Sequence, residues 1–185
     1  MLICFFDQEG IVHREFVPPG MTVNADFYCD VLRRLRENVR RKKPQKWRNQ
    51  KLIYHDNAPA HRSFKVSQFL AKNNMTVNSH PPYSPDLAPC DFSLFPKLKL
   101  RMKGRTFDTT EEIQEESQWV LDTFPKRDFQ GCFQAWQKRW DRCIRAMRST
   151  LKVIEEFNIQ GKQTSFYKYC PGTFGSTLVF LFCKY

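Results

Sequence analysis

Two aspartates stand where short elements of the predicted fold end or begin. The apolar run at 52–54 leads directly into His55, Asp56 and Asn57, a pattern that indicates a buried strand delivering a carboxylate to the end of a sheet. Asp91 stands at the start of a predicted helix over 91–103. Paired carboxylates suit a hard cation such as Mg²⁺, and two-metal phosphoryl transfer needs such a pair and usually a third acid.

Local structure offers other roles for the same residues. An aspartate that follows a strand is often a turn residue, and one that opens a helix is often its N-cap. Asp86, in a proline-rich loop, also suits turn and cap roles. His55 and His61 are predicted to pack and hydrogen-bond around the site, because a metal that selects oxygen ligands does not favour imidazole.

The remaining elements follow from hydrophobic periodicity and turn residues. Asp7 is predicted to be a turn residue of a hairpin that ends at Gly10, away from any strand-end metal site. Thr22 or Asn24 can cap the first helix. Strands are predicted at 2–6, 11–16, 52–54 and 75–78, and helices at 25–41, 60–72, 91–103, 110–122 and 126–147. The last helix carries an aromatic stripe that indicates core or a dimer surface.

Composition bounds the class of protein. The 185 residues are 41% apolar with 17 Phe, which predicts one globular domain with a sizeable core. Seven cysteines, odd in number and without a C-x-x-C pair, argue against a zinc module or a secreted disulfide framework and indicate a reducing compartment. The first residues lack the features of a signal peptide, and no apolar run approaches a membrane span. We therefore expect an intracellular protein.

The net charge of +11 favours a partner that carries phosphate groups. A soluble protein surface can also tolerate this excess of positive charge without binding such a partner. Two basic clusters are the candidates for contact with the backbone of double-stranded DNA, which would give affinity without sequence specificity. For the first cluster, a solvated helix end remains an equal alternative. The candidate DNA-binding residues are Arg40, Arg41, Lys42, Lys43, Lys46, Arg48, Lys97, Lys99, Arg101 and Lys103.

Two long motifs resemble one known family. HDNAPAH at 55–61 and HPPYSPDLAPCDFSLFPKLK at 80–99, in this order and with 34 residues between Asp56 and Asp91, resemble the catalytic core of mariner-type transposases. The similarity covers about residues 2–146. It implies an α/β fold, an RNase H-like mixed sheet flanked by helices, and DNA cleavage and strand transfer with Mg²⁺ or Mn²⁺. By the same resemblance Asp56 and Asp91 are the second and third acids of a catalytic triad and metal ligands.

The chain departs from the family pattern at both ends. It begins at what would be the second strand, so the resemblance predicts that it lacks the first, central strand, the catalytic Asp on that strand and the upstream helix-turn-helix domain. We predict a truncated catalytic domain over 1–147 and a divergent tail over 148–185. Within the tail, 178–183 is strand-like without an obvious partner, and we expect it to be loosely attached.

The sequence supports two alternative functions. The first is a fragment of a mariner-type transposase that is inactive, binds its metal weakly and acts in the nucleus on DNA, with a homodimer as a further partner. The second is a non-catalytic DNA-binding or interaction remnant of a domesticated transposase. A domain that once followed a SET methyltransferase is a weaker alternative, because nothing in the chain has methyltransferase features.

Overall fold

A computed structural model describes residues 1–45, 51–78, 80–157 and 178–181. The described strands and α-helices are β1 (Leu2–Asp7), β2 (Gly10–Phe16), α1 (Ala25–Lys42), β3 (Lys51–Tyr54), α2 (Phe64–Lys72), β4 (Met75–Asn78), α3 (Phe95–Met102), α4 (Thr110–Asp122), α5 (Lys126–Phe157) and β5 (Leu178–Leu181). A 3-10 turn at Pro85–Leu87 and a π-helical turn at Cys90–Leu94 precede α3. No helix in these ranges is long and apolar enough to cross a membrane.

The first two strands form an antiparallel hairpin. Asp7 Oδ1 accepts hydrogen bonds from the backbone N–H of Glu9 at 2.8 Å and of Gly10 at 3.2 Å. Gly10 has a φ of +138°, a conformation that side chains other than hydrogen rarely permit. The turn role predicted for Asp7 is confirmed, and its second oxygen lies 2.5 Å from Lys43 Nζ.

The C-terminal strand is paired, and the expectation that it lacks a partner is wrong. Leu178–Leu181 runs parallel to Lys51–Tyr54 in continuous register, and β3 pairs on its other edge with β4. Parallel neighbours come from segments far apart in the chain, so a four-residue run carries no local signal that names its partner.

β5 also lies beside β1, whose Cα atoms approach those of β5 to within 8 Å. Adjacent strands are about 4.8 Å apart and stacked sheets about 10 Å, so this approach makes β1 and β5 side-by-side neighbours. Hydrogen bonds group the strands into two sheets, β1-β2 and β4-β3-β5, and β5 is the edge of the second sheet that lies beside β1. The spatial order is therefore β2, β1, β5, β3 and β4, with the short C-terminal strand between the hairpin and the parallel pair.

Side chains of the central strands divide between two apolar layers. Ile3 and Phe5 of β1 join Ile53 in a layer covered by α1 and α2, whereas Cys4 and Phe6 join Tyr54 in a layer covered by the helices after residue 89. This alternation follows from the two-residue period of a strand. The predicted aromatic stripe of α5 lies in the second layer at Phe129, Phe133, Trp136 and Trp140, all at most 5% exposed, which favours core over dimer surface for these four.

Helix ends match the predicted caps with two differences. Asn24 Oδ1 accepts from the N–H of Phe27 at 2.9 Å, so Asn24 is the cap of α1. The helix predicted from residue 60 begins at Phe64, because Ser63 caps it through the N–H of Val66. α5 continues past residue 147 to Phe157, since this stretch contains neither Gly nor Pro to end it. The helix thus crosses the predicted domain boundary.

Candidate functional site

Asp56 lies two residues beyond β3 and is held by its own turn. Its Oδ1 accepts a hydrogen bond from the N–H of Ala58 at 3.0 Å and lies 2.5 Å from Nδ1 of His61. Burial by itself would raise the pKa of this carboxyl group, but the His61 hydrogen bond, the His61 charge and the Ala58 N–H outweigh it and lower the pKa. The side chain is 42% exposed, so an ionised carboxylate faces solvent.

A stack of three rings supports the His61 partner of Asp56. The rings of His55 and His61 are 5.0 Å apart and nearly parallel, and the ring of Tyr28 lies 4.1 Å from that of His61. Tyr28 Oη lies 2.9 Å from His55 Nδ1. Burial and then the neighbouring His61 lower the pKa of His55 to about 3. His55 is therefore neutral, and its Nδ1 shares a hydrogen bond with the Tyr28 hydroxyl.

This neutral histidine predicts a pH dependence of stability. In the unfolded chain His55 has the ordinary histidine pKa of 6.5, whereas in the folded protein its pKa is about 3. Between these two pH values the unfolded chain therefore binds a proton at His55 and the folded protein does not. Lowering the pH through this window therefore costs about 1.4 kcal/mol of unfolding free energy per pH unit. We expect His55→Gln to reduce the slope of unfolding free energy against pH by that amount, as measured by urea denaturation at pH 7, 6 and 5.

His80, whose pKa is also lowered by burial, contributes equally to this slope in wild type and in the variant. A slope unaltered by the substitution would contradict this assignment.

The loop after β4 is tied to the end of β3. Asn57 Nδ2 donates to the His80 carbonyl at 2.7 Å, and Tyr54 Oη lies 2.5 Å from His80 Nδ1. The Leu87 carbonyl accepts from Tyr54 Oη at 3.2 Å and from Trp136 Nε1 at 2.9 Å. These bonds join the sheet edge, the loop and α5 into one unit.

Asp91 lies in the π-helical turn that follows this loop, and it is exposed. Single π-helical turns are rare in proteins, and those that do occur are often found at functional sites. Burial lowers the pKa of His80, whereas the negative fields of Asp56, Asp91 and Asp86 oppose that shift. Asp56 and Asp91, the two acids singled out in the sequence, thus both lie within electrostatic range of one histidine, as does Asp86.

A cavity of about 460 Å³ opens beside Asp56, between α2 and β4. Its polar rim includes Asp56, His80 and Arg62, and its apolar wall includes Leu70 and Met75. Arg62 was not singled out from the sequence, because an isolated arginine carries no signal until the fold places it at the cavity. His80 lies in the second sequence motif, but the sequence alone indicated no individual role for it.

The donors available to a divalent cation are oxygens. Asp56 Oδ1 is used by Ala58 and His61, which leaves Oδ2 for a cation, and the Asp91 carboxylate is exposed. Carboxylate oxygens are what Mg²⁺ and Mn²⁺ prefer, so these two side chains fit such an ion. In the described ranges there is no group of three or more His, Cys, Asp or Glu side chains that could hold a metal.

The first basic cluster lies at the far end of α1 from Asp56. Tyr28, near the start of α1, contacts His55, whereas Arg40 is twelve residues later, about 18 Å along the helix axis. The side chains of this cluster that the structure describes already have partners within the protein. Two form ion pairs, Lys43 with Asp7 and Glu9 and Arg40 with Glu37. Two form hydrogen bonds, Lys42 Nζ to the Val12 carbonyl and Arg41 to Asn38. Lys46 and Arg48 fall outside the described residues.

The second basic cluster follows Asp91, with three residues on α3 and Lys103 at its C-terminal cap. Lys97 Nζ lies 3.3 Å from Asp128, and Arg101 donates to Thr123 Oγ1 while covering the ring of Phe124. Lys99 and Lys103 are exposed. This cluster is closer to Asp91 along the chain than the first cluster is to Asp56.

Antiparallel and parallel strands covered by helices on both faces, with Asp56 just beyond the end of β3 and Asp91 in the turn before α3, define an RNase H-like α/β domain. A family model described as Transposase (partial DDE domain) matches residues 1–49. Mariner Mos1 transposase of Drosophila mauritiana is 33% identical over 149 residues, which cover 78% of this chain and 42% of that protein. The human histone-lysine N-methyltransferase SETMAR is 24% identical over 145 residues, 78% of this chain and 21% of that protein.

Solved structures agree. The Mos1 catalytic domain superimposes with a TM-score of 0.74 and 31% identity, covering 78% of this chain and 72% of that one. The Mos1 paired-end complex with left transposon end gives a TM-score of 0.71 at 31% identity, covering 78% and 42%. The chain belongs to the mariner transposase family and represents part of its catalytic domain. Structures of the Mos1 domain with Mn and with Mg indicate that the family uses divalent metals.

Proposed function

We propose that this 185-residue chain is a DNA-binding fragment of a mariner-type transposase that does not itself cleave DNA. In the intact family the resemblance implies metal-dependent cleavage and strand transfer. The observation that carries the proposal is the composition of the middle strand. Leu178–Leu181 lies between β1 and β3 and has no carboxylate, so the strand beside Asp56 supplies no third acid.

Two acids alone make a weak metal site. Asp56 and Asp91 hold one Mg²⁺ or Mn²⁺ loosely, because a two-metal reaction needs ligands for both ions in fixed geometry. A displacement of about 1 Å can already cost about a hundredfold in rate, and a missing ligand costs more. The chain therefore retains an ion but does not activate water or a DNA hydroxyl group.

Double-stranded DNA is the proposed partner. The net charge of +11 supports phosphate binding, Arg62 lies on the same cavity as Asp56, and the exposed Lys99 and Lys103 follow Asp91 in the sequence. A DNA-bound relative, the Mos1 paired-end complex, supports the same partner and a homodimer. Action on DNA is consistent with the proposed location in the nucleus.

The test is metal-dependent nicking of supercoiled DNA together with DNA binding. We expect no nicking with Mg²⁺ or Mn²⁺ for wild type, Asp56→Ala or Asp91→Ala. We expect all three to bind duplex DNA with an affinity that falls steeply between 50 and 200 mM salt, because phosphate contacts release counterions. Glu111→Ala, an exposed acid on α4, is the matched control. Nicking that needs metal and disappears in both aspartate variants, but not in the control, would refute inactivity.

The second candidate is an interaction remnant that does not bind DNA. The ion pairs of the first basic cluster favour it, since Lys43 and Arg40 already have acidic partners. Absence of DNA binding at 50 mM salt would select this candidate over the first.

A further inference from the structure

Tyr83 combines backbone strain with complete exposure. Its φ of +53° lies in the left-handed region, which is unfavourable for a bulky residue, and its side chain is as exposed as in an isolated peptide, at 103%. Tyrosine rings contribute large buried area where they pack. A strained residue that buries none of its ring gains nothing from packing, so the conformation needs another explanation.

The loop around Tyr83 is anchored on both sides. Before it, the His80 carbonyl accepts from Asn57, and after it, the Leu87 carbonyl accepts from Tyr54 and Trp136. Ser84 Oγ also donates to the carbonyl of Pro82 at 3.0 Å. These contacts hold the loop in place, so the ring projects into solvent from a backbone that is already ordered.

The neighbours of Tyr83 indicate what the ring meets. Pro82, the preceding residue, lines the cavity beside Asp56, and Arg62 lies on the same cavity. Arg62 is exposed, and its side chain has no acidic partner among the described residues. Single-stranded nucleic acid is bound by aromatic rings that stack on its bases and by cations that contact its phosphates. This surface offers one of each, Tyr83 directly after a cavity-lining residue and Arg62 on the cavity itself.

We propose that Tyr83 is a stacking platform for an unpaired DNA base at the mouth of the Asp56 cavity, with Arg62 contacting the adjoining phosphate. The proposal rests on the proposed DNA-binding function and names the part of the DNA that this surface takes. A paired base inside a duplex has no free face, so the platform selects a strand end or an unpaired stretch. The pre-ordered loop lowers the entropy cost of binding.

The test compares a blunt duplex with the same duplex carrying a short single-stranded overhang, by fluorescence anisotropy. Wild type is expected to bind the overhang DNA more tightly. Tyr83→Ala should weaken overhang binding roughly tenfold and leave blunt-duplex binding nearly unchanged, whereas Tyr83→Phe should keep both. Arg62→Gln should weaken overhang binding and reduce its dependence on salt. Trp119→Ala, an aromatic on α4 that is 59% exposed, is the matched control.

Tyr83→Gly separates a binding role from a structural one. Glycine adopts positive φ without strain, so this variant should melt no lower than wild type and yet lose overhang affinity as Tyr83→Ala does. Overhang affinity that equals wild type in Tyr83→Ala and Tyr83→Gly, while wild type binds DNA, would overturn the platform alone. A wild-type chain that binds neither DNA would overturn the proposed function and the platform with it.

Discussion

Val179→Pro is expected to unfold the domain. Val179 stands opposite Leu52 in the parallel ladder, and β5 lies between β1 and β3. Proline has no N–H to donate to a strand ladder and is poorly tolerated inside a strand, so we expect a loss at the upper end of the range for single substitutions, about 3 kcal/mol. Since domains of this size are stable by only about 5–15 kcal/mol, the hairpin and the parallel pair should separate. Urea denaturation followed by circular dichroism measures the loss.

A proline elsewhere controls for this substitution. Thr106→Pro lies in an exposed loop between α3 and α4, outside any strand or helix, and should keep the urea midpoint close to that of wild type. If Val179→Pro kept the same midpoint as Thr106→Pro, the C-terminal strand would not hold the sheet together. The proposal that the middle strand supplies no third acid would then lose its structural basis.

Trp136→Ala is expected to destabilise the chain by about 3–5 kcal/mol, the range for removing a large aromatic side chain from a core. Trp136 is 0% exposed, its ring packs edge-on against Tyr54 at 4.8 Å, and its Nε1 donates to the Leu87 carbonyl at 2.9 Å. The substitution leaves a cavity and deprives the loop before Asp91 of one anchor. Thermal or urea unfolding measures the change.

Two variants divide this effect into packing and hydrogen bonding. Trp136→Phe keeps most of the ring but loses the donor, and should cost less than Trp136→Ala. Trp119→Ala removes the same kind of side chain from the surface of α4 and should change stability by no more than about 0.5 kcal/mol. Equal effects of Trp136→Ala and Trp119→Ala would contradict the core position of Trp136.

Features set by neighbours in sequence could be predicted before the fold was known. The predicted strand at 75–78 and helix at 110–122 coincide with β4 and α4, and Asn24 was one of two predicted caps. Gly104, with φ of +81°, ends α3 as its residue type indicates. Helix and hairpin signals act over three to ten residues, so they survive without tertiary context.

Features that depend on distant segments were missed or left open. The partner of Leu178–Leu181 is more than 120 residues away, and a parallel ladder leaves no turn that would reveal it. Along α1, Arg40 lies about 18 Å from Tyr28, the residue that contacts His55, although the sequence alone left the distance between this cluster and the site open. Arg62 and Tyr83 could be interpreted only once the fold placed Arg62 on the cavity and Tyr83 directly after Pro82, which lines it.

The sequence by itself determined the family, the strand that delivers Asp56 and the helix start that carries Asp91, because motif spacing and hydrophobic period are local properties. The hydrogen bond between Asp56 and His61 also belongs to one short turn. Only the tertiary structure decided that the fields of Asp56, Asp86 and Asp91 all reach His80, and that Leu178–Leu181 lies between β1 and β3. Both depend on which distant segments pack together, and that choice is made by burial and strand pairing across the whole domain.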